Sequence, residues 1–113
     1  MAKRKERIQQ VTRACELLGN PLRMKIFLEI LSEGCDCDFK EQDGIERNCV
    51  KGIMKALDLP QSTVSTYIKD LEQGGLVECQ KKGRILYCRP SRKGLVAMKS
   101  FVDGAISQIR FKD

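Results

Sequence analysis

Apolar residues recur at helical spacing in five stretches of this chain, and one further stretch reads as a pair of strands. From Glu6 to Leu18, Ile8, Val11, Cys15 and Leu18 fall on one face with Gln, Arg and Glu opposite, which predicts an amphipathic first helix. Asn20-Pro21 then pairs an N-cap residue with proline at the first helical position. That opens a second helix from Leu22 to Ser32, with Ile26, Phe27, Ile30 and Leu31 inward and Gly34 as its stop. Regularity returns at Val50, Ile53, Met54 and Leu57, a third helix, and Asp58 suits the left-handed conformation that ends one. Pro60 starts a fourth, which sets Val64, Tyr67, Ile68 and Leu71 against Ser62, Ser65, Thr66 and Lys69, until Gly74-Gly75 stops it. Leu76 to Lys81 and Arg84 to Arg89 lean towards β structure around Lys82-Gly83, a hairpin signal. After Pro90, Ser91 is placed to cap a fifth helix whose apolar side holds Leu95, Val96, Val102, Ala105, Ile106 and Ile109.

Two helices in tandem followed by a basic hairpin is the order of a winged helix-turn-helix. The expected fold is therefore α+β and mainly α, about five helices with a two-stranded wing. It forms a single domain over 1–113, with an irregular segment at 35–48 and the wing hairpin at 76–89. In that fold Gln61, Ser62, Thr63, Ser65 and Thr66 are short donors and acceptors able to meet base edges or phosphates in a major groove, and Lys69 adds charge. Lys81, Lys82 and Arg84 at the hairpin tip are placed for phosphate or the adjacent minor groove. Taken singly, a Ser/Thr-rich helix face is a solvated surface and Lys82-Gly83 a charged turn; their order along the chain is what points to DNA.

Composition agrees with that reading. A chain of 113 residues with 42% hydrophobic against 32% charged residues can bury one core, away from the signature of disorder. Tryptophan is absent and aromatics are few, so Leu, Ile, Val and Met build the core. Twenty-one Lys and Arg against fifteen Asp and Glu give a net charge of +6, which attracts polyanions. Lys3, Arg4, Lys5 and Arg7 read as a frayed, solvated tail. No apolar run approaches the roughly 18–20 residues of a membrane span, and a cytoplasmic protein is expected. There, the six cysteines are expected as thiols, metal ligands or redox groups rather than as a disulfide frame. With no histidine, no nucleophile beside a base at a recognisable spacing and no phosphate-cradling glycine loop, the chain does not read as an enzyme.

Four motifs carry a resemblance: Glu16-Leu17-Leu18-Gly19-Asn20-Pro21-Leu22-Arg23, Leu59-Pro60-Gln61-Ser62-Thr63-Val64-Ser65, Gly74-Gly75-Leu76-Val77 and Lys82-Gly83-Arg84. Over nearly its whole length the chain resembles the ArsR/SmtB family of metal-responsive repressors. The resemblance implies a homodimer paired through the first and last helices, bound to double-stranded operator DNA and released when a metal or an oxidant binds. Members often carry Cys-Val-Cys at the start of the helix before the recognition helix. Here Cys49-Val50-Lys51 keeps the first cysteine and replaces the second with lysine. The absence of histidine excludes the His/Asp zinc site that relatives build on the last helix.

What the chain offers instead is Cys35-x-Cys37 with Cys49, the first two in an acidic stretch longer than this connection needs. Three thiolates can cap As(III) or Pb(II), or supply three corners of a Cd(II) or Zn(II) site that Asp36 or Asp38 could complete. Cys49, at a helix N-terminus, gains from the helix dipole as a thiolate. The expected function is thus a repressor that senses a thiophilic ion, As(III), Cd(II) or Pb(II), at Cys35, Cys37 and Cys49, with no organic cofactor. The alternative is a cysteine-based redox or reactive-sulfur sensor of the same fold, in which Cys49 pairs with Cys35 or Cys37. A third reading leaves these thiols inert. Cys15, on the apolar stripe, is expected to be buried packing. For Cys79 and Cys88 a two-residue turn gives a diagonal pair and a three-residue turn an opposed one, and structural thiols are expected. The acidic spacing lacks the EF-hand pattern, which removes calcium.

Overall fold

The structure, a computed structural model, describes residues 2–32, 49–83 and 85–109. Its elements run α1 (Ala2–Leu18), α2 (Pro21–Ser32), α3 (Cys49–Leu57), α4 (Gln61–Gln73), β1 (Val77–Lys82), β2 (Ile85–Pro90) and α5 (Arg92–Gln108). The five helices and the antiparallel hairpin are those the periodicity predicts. The cysteine-bearing segment with Cys35 and Cys37 lies outside the described residues.

Local chemistry sets the element ends. Asn20 Oδ1 accepts from the backbone N–H of Leu22 at 2.9 Å and of Arg23 at 3.2 Å, so α2 begins on the expected cap. At the end of α3, Asp58 takes φ 53° and the Leu59 N–H reaches back to the Met54 carbonyl at 3.1 Å. At the end of α4, Gly75 takes φ 80° and the Leu76 N–H reaches the Leu71 carbonyl at 2.9 Å. Both are the left-handed stop in which the residue after the left-handed one closes the last turn, and each returns an apolar residue to the core. Pro60 stands at the N-cap of α4 rather than inside it. Ser91 occupies the N-cap position of α5, but its side chain makes no capping hydrogen bond; its N–H donates to the Leu76 carbonyl at 2.8 Å.

The core gathers Ala14 and Leu17 of α1, Ile26, Phe27 and Ile30 of α2, Val50 and Ile53 of α3, and Val64, Ile68 and Leu71 of α4. Leu76, Val77 and Cys88 close it from the wing side. Two expectations about the outer helices need correcting. In α1 the buried positions are Val11, Ala14 and Leu17, while Ile8 and Cys15 are exposed, so the predicted stripe straddles the boundary. Cys15 is thus not core packing. The basic N-terminus is also not a frayed tail, because α1 begins at Ala2 and carries Arg4, Lys5 and Arg7 exposed along its first turns.

The hairpin register lies one position beyond the Lys82-Gly83 signal: Lys82 pairs with Ile85, and Gly83 takes φ 63°. Of the two arrangements open for Cys79 and Cys88, this register gives the opposed one, without a three-residue turn.

Candidate nucleic-acid interface and the cysteines

Helix α4 is two-sided. Val64, Ile68 and Leu71 are buried against α2, α3 and β1, whereas Gln61, Ser62, Thr66 and Lys69 are exposed. Thr63 and Ser65 are half-buried, so they flank the exposed stripe rather than form it. Helix α3 packs on α4 across the left-handed stop at Asp58, the tandem arrangement of a helix-turn-helix.

Arg23 links α1, α2 and α4. Its Nε donates to the Leu17 carbonyl at 2.8 Å and an Nη donates to the Glu16 carbonyl at 3.1 Å, tying α2 to the last turn of α1. The other Nη lies 3.5 Å from Asp70 Oδ2, and the guanidinium sits 5.7 Å from the centre of the Tyr67 ring. One planar fork thereby satisfies two helix-terminal carbonyls and grips α4 by two residues on adjacent positions of one face. The only sequence signal was an arginine three residues after a cap, whose partners lie in two other helices.

The wing follows immediately. On β1 and β2, Glu78 faces Arg89, whose guanidinium donates to Glu78 Oε2 at 2.7 and 3.0 Å across the strands. Gln80 and Lys81 are exposed towards the tip; Lys82 is placed as the last residue of β1, and Arg84 lies outside the described residues. Gly94, in the first turn of α5, sits so close beneath the α4–β1 turn that a Cβ there would meet the Gly75 carbonyl oxygen at 2.6 Å. The wing is therefore seated between α4 and α5 by backbone contact.

A matched profile describes the arsR family of bacterial regulatory proteins and covers residues 45–78, from before α3 into the first wing strand. The HTH-type transcriptional regulator YbzH of Bacillus subtilis is 30% identical over 89 residues, covering 75% of this chain and 87% of its own. The chain belongs to the ArsR family. Among solved structures, the ArsR family transcriptional regulator RHA00566 superposes with a TM-score of 0.67 at 18% identity, over 91% of this chain and 95% of that one. The homodimeric winged helix-turn-helix DNA-binding domain of Mb0332 from Mycobacterium bovis superposes with a TM-score of 0.59 at 22% identity, over 94% and 87%. The ArsR fold accounts for the order of α3, α4 and wing, and members of the family are DNA-binding transcriptional regulators, not enzymes.

The cysteines divide into three groups. Cys49 is the first residue of α3, and Cys35 and Cys37, its expected co-ligands, lie outside the described residues. Cys15 is exposed on α1, at a groove of about 570 Å³ that Ile8 and Thr12 share with Phe101 and Ala105 of α5. Cys79 is half-buried and Cys88 buried on the facing wing strands, with their sulfurs 3.2 Å apart.

Proposed function

We propose that this ArsR-family regulator is a homodimeric repressor that reads operator DNA with α4 and the wing and releases it when Cys35, Cys37 and Cys49 ligate a thiophilic ion. The observation that carries the DNA reading is the two-sidedness of α4: buried Val64, Ile68 and Leu71 hold it while exposed Gln61, Ser62, Thr66 and Lys69 face solvent beside the wing. Thr63 and Ser65 complete the face at its margins. Lys81, with Lys82 and Arg84 at the tip, supplies phosphate contacts next to it.

The dimer reading is supported by α5. Val96, Phe101, Val102, Ile106 and Ile109 are each about half exposed, and no residue of that helix is fully buried. An exposed apolar stripe of this length alongside Ile8 of α1 suits a self-complementary seam between two copies. A two-fold pair of recognition helices then meets a palindromic site, one helix per half-site.

For the inducer, the donor set is soft. The chain holds no imidazole, so thiolates of Cys35, Cys37 and Cys49, with a neighbouring carboxylate, are its natural ligands for As(III), Cd(II) or Pb(II). Cys49 opens α3, which packs directly on α4, so drawing Cys49 towards Cys35 and Cys37 bears on the helix that supports the reading helix. A coupling of about 1–3 kcal/mol is typical of such linkage.

The experiment is fluorescence anisotropy of the reduced protein on its own promoter duplex, titrated anaerobically with arsenite. Stoichiometric release in the wild type, with Cys49→Ser still bound to DNA but unresponsive, supports the reading. Full release in Cys49→Ser overturns the ligand set, and release by oxidants but by none of the three ions moves the assignment to the redox alternative.

A further inference from the structure

Cys79 and Cys88 take no part in that reading, and their placement gives them a chemistry of their own. They are direct partners in the hairpin register. The class of the pair follows from its neighbours: one step beyond the ladder, the Ser91 N–H donates to the Leu76 carbonyl at 2.8 Å, and Pro90, opposite Val77, has no N–H to give. Antiparallel pairs alternate between hydrogen-bonded and non-hydrogen-bonded. Leu76 and Ser91 belong to the first kind, Val77 and Pro90 to the second, and so do Cys79 and Cys88. Pairs of that kind hold their Cα atoms about 4.5 Å apart with side chains at their closest. That lies within the roughly 4.4–6.8 Å that a disulfide spans.

The sulfurs, 3.2 Å apart, need to close by only about 1 Å to reach a bond. Exposure divides the roles: Cys79 is half-buried and reaches solvent, while Cys88 is fully buried in the core.

We propose that Cys79 and Cys88 form an oxidisable dithiol that hydrogen peroxide closes to a cross-strand disulfide beneath the wing, with Cys79 attacking and Cys88 resolving. The Cys79 thiolate attacks one peroxide oxygen and breaks the O–O bond, leaving a sulfenic acid on Cys79 and, with one proton taken up, one water. The Cys88 thiolate displaces hydroxide from that sulfur, the S–S bond forms, and hydroxide leaves as the second water with the remaining proton. Two thiols lose two electrons in all, and the peroxide gains them. The product fastens β1 to β2 where Cys88 joins the core, so the oxidation state of the pair is built into the element that carries Lys81.

The test uses the full-length reduced protein, exposed to hydrogen peroxide, quenched with an alkylating agent under denaturing conditions and digested with trypsin. Cleavage after Lys69, Lys81, Lys82, Arg84 and Arg92 places Cys79 on peptide 70–81 and Cys88 on peptide 85–92, because Pro90 protects the bond after Arg89. The expected result is one linked species of these two peptides, lighter than their sum by two hydrogen atoms and lost on treatment with dithiothreitol. In Cys79→Ser, Cys88 should come through the same exposure as an alkylated thiol, because Cys88 itself is fully buried. Recovery of both peptides as separate alkylated thiols, at a peroxide dose that oxidises other cysteines of the wild-type chain, overturns the proposal. So does linkage of either peptide to a different cysteine in place of its strand partner.

Discussion

Arg23 Nη lies 3.5 Å from Asp70 Oδ2 and so joins the first turn of α2 to the last turn of α4. The same side chain donates to the carbonyls of Leu17 and Glu16 at the end of α1. Three helices thus meet on one guanidinium, and the two interactions differ in weight. The carbonyl bonds satisfy groups that α1 leaves without helical partners, whereas the carboxylate contact is long and partly solvated.

Arg23→Ala should therefore cost about 1–3 kcal/mol in urea unfolding, because the half-buried Leu17 carbonyl loses its charged donor and keeps only the Asn20 N–H at 3.4 Å. Asp70→Ala should cost under about 1 kcal/mol. Equal losses in the two variants would show that the Asp70 contact to α4, not the carbonyl bonds to α1, carries the contribution of Arg23.

Gly94 and Gly75 should fail for different reasons. A Cβ at Gly94 meets the Gly75 carbonyl oxygen at 2.6 Å and Leu76 Cδ2 at 2.9 Å, so Gly94→Ala should push α5 off the wing and cost roughly 1–3 kcal/mol. Around Gly75 the space is open, but φ is 80°, so Gly75→Ala should cost about 1–2 kcal/mol in backbone strain alone. Thermal unfolding measures both. The wing's amide-exchange protection should fall for Gly94→Ala in particular.

On the exposed stripe of α4, Ser62→Ala and Thr66→Ala should leave stability within about 0.5 kcal/mol. Each should weaken operator binding and, where the hydroxyl meets a base edge, narrow the preference for operator over scrambled duplex by about 1–3 kcal/mol. Lys69→Gln should instead weaken both duplexes alike and reduce the slope of log K against log salt by about one.

Phe101 and Ile106 lie on the exposed stripe of α5, at 55% and 56% of full exposure. Phe101→Glu and Ile106→Glu should leave the fold intact, since neither side chain is buried in a single chain. Both should convert a dimer to monomers in sedimentation velocity and lower affinity for a palindromic site. Dimers that persist in both variants would place the seam elsewhere.

The fold was legible because its signals are local. Asn20-Pro21, Asp58 and Gly74-Gly75 each act within a turn of their own position, and the spacing of Val64, Ile68 and Leu71 needs no partner to be read. What was not legible depends on partners. Cys15 shares a stripe with Val11 by periodicity, yet α1 buries Ala14 and Leu17, a choice made by the helices that pack on it. The facing of Cys79 and Cys88 turns on whether the hairpin pivots at Lys82-Gly83 or Gly83-Arg84, one residue that reassigns every cross-strand pair. Arg23 acts through carbonyls of one helix and a carboxylate of another, and no spacing along the chain records that.

The central claim is that this ArsR-family chain reads DNA through α4 and the wing, and salt-dependent anisotropy on its own promoter duplex tests it most directly. Between about 50 and 200 mM salt, the account predicts tight binding that falls steeply on a log–log plot, tighter for the promoter than for a scrambled duplex, with the difference narrowed by Ser62→Ala. Equal affinity for promoter and scrambled duplex, unmoved by Ser62→Ala, Thr66→Ala or Lys69→Gln, would contradict it.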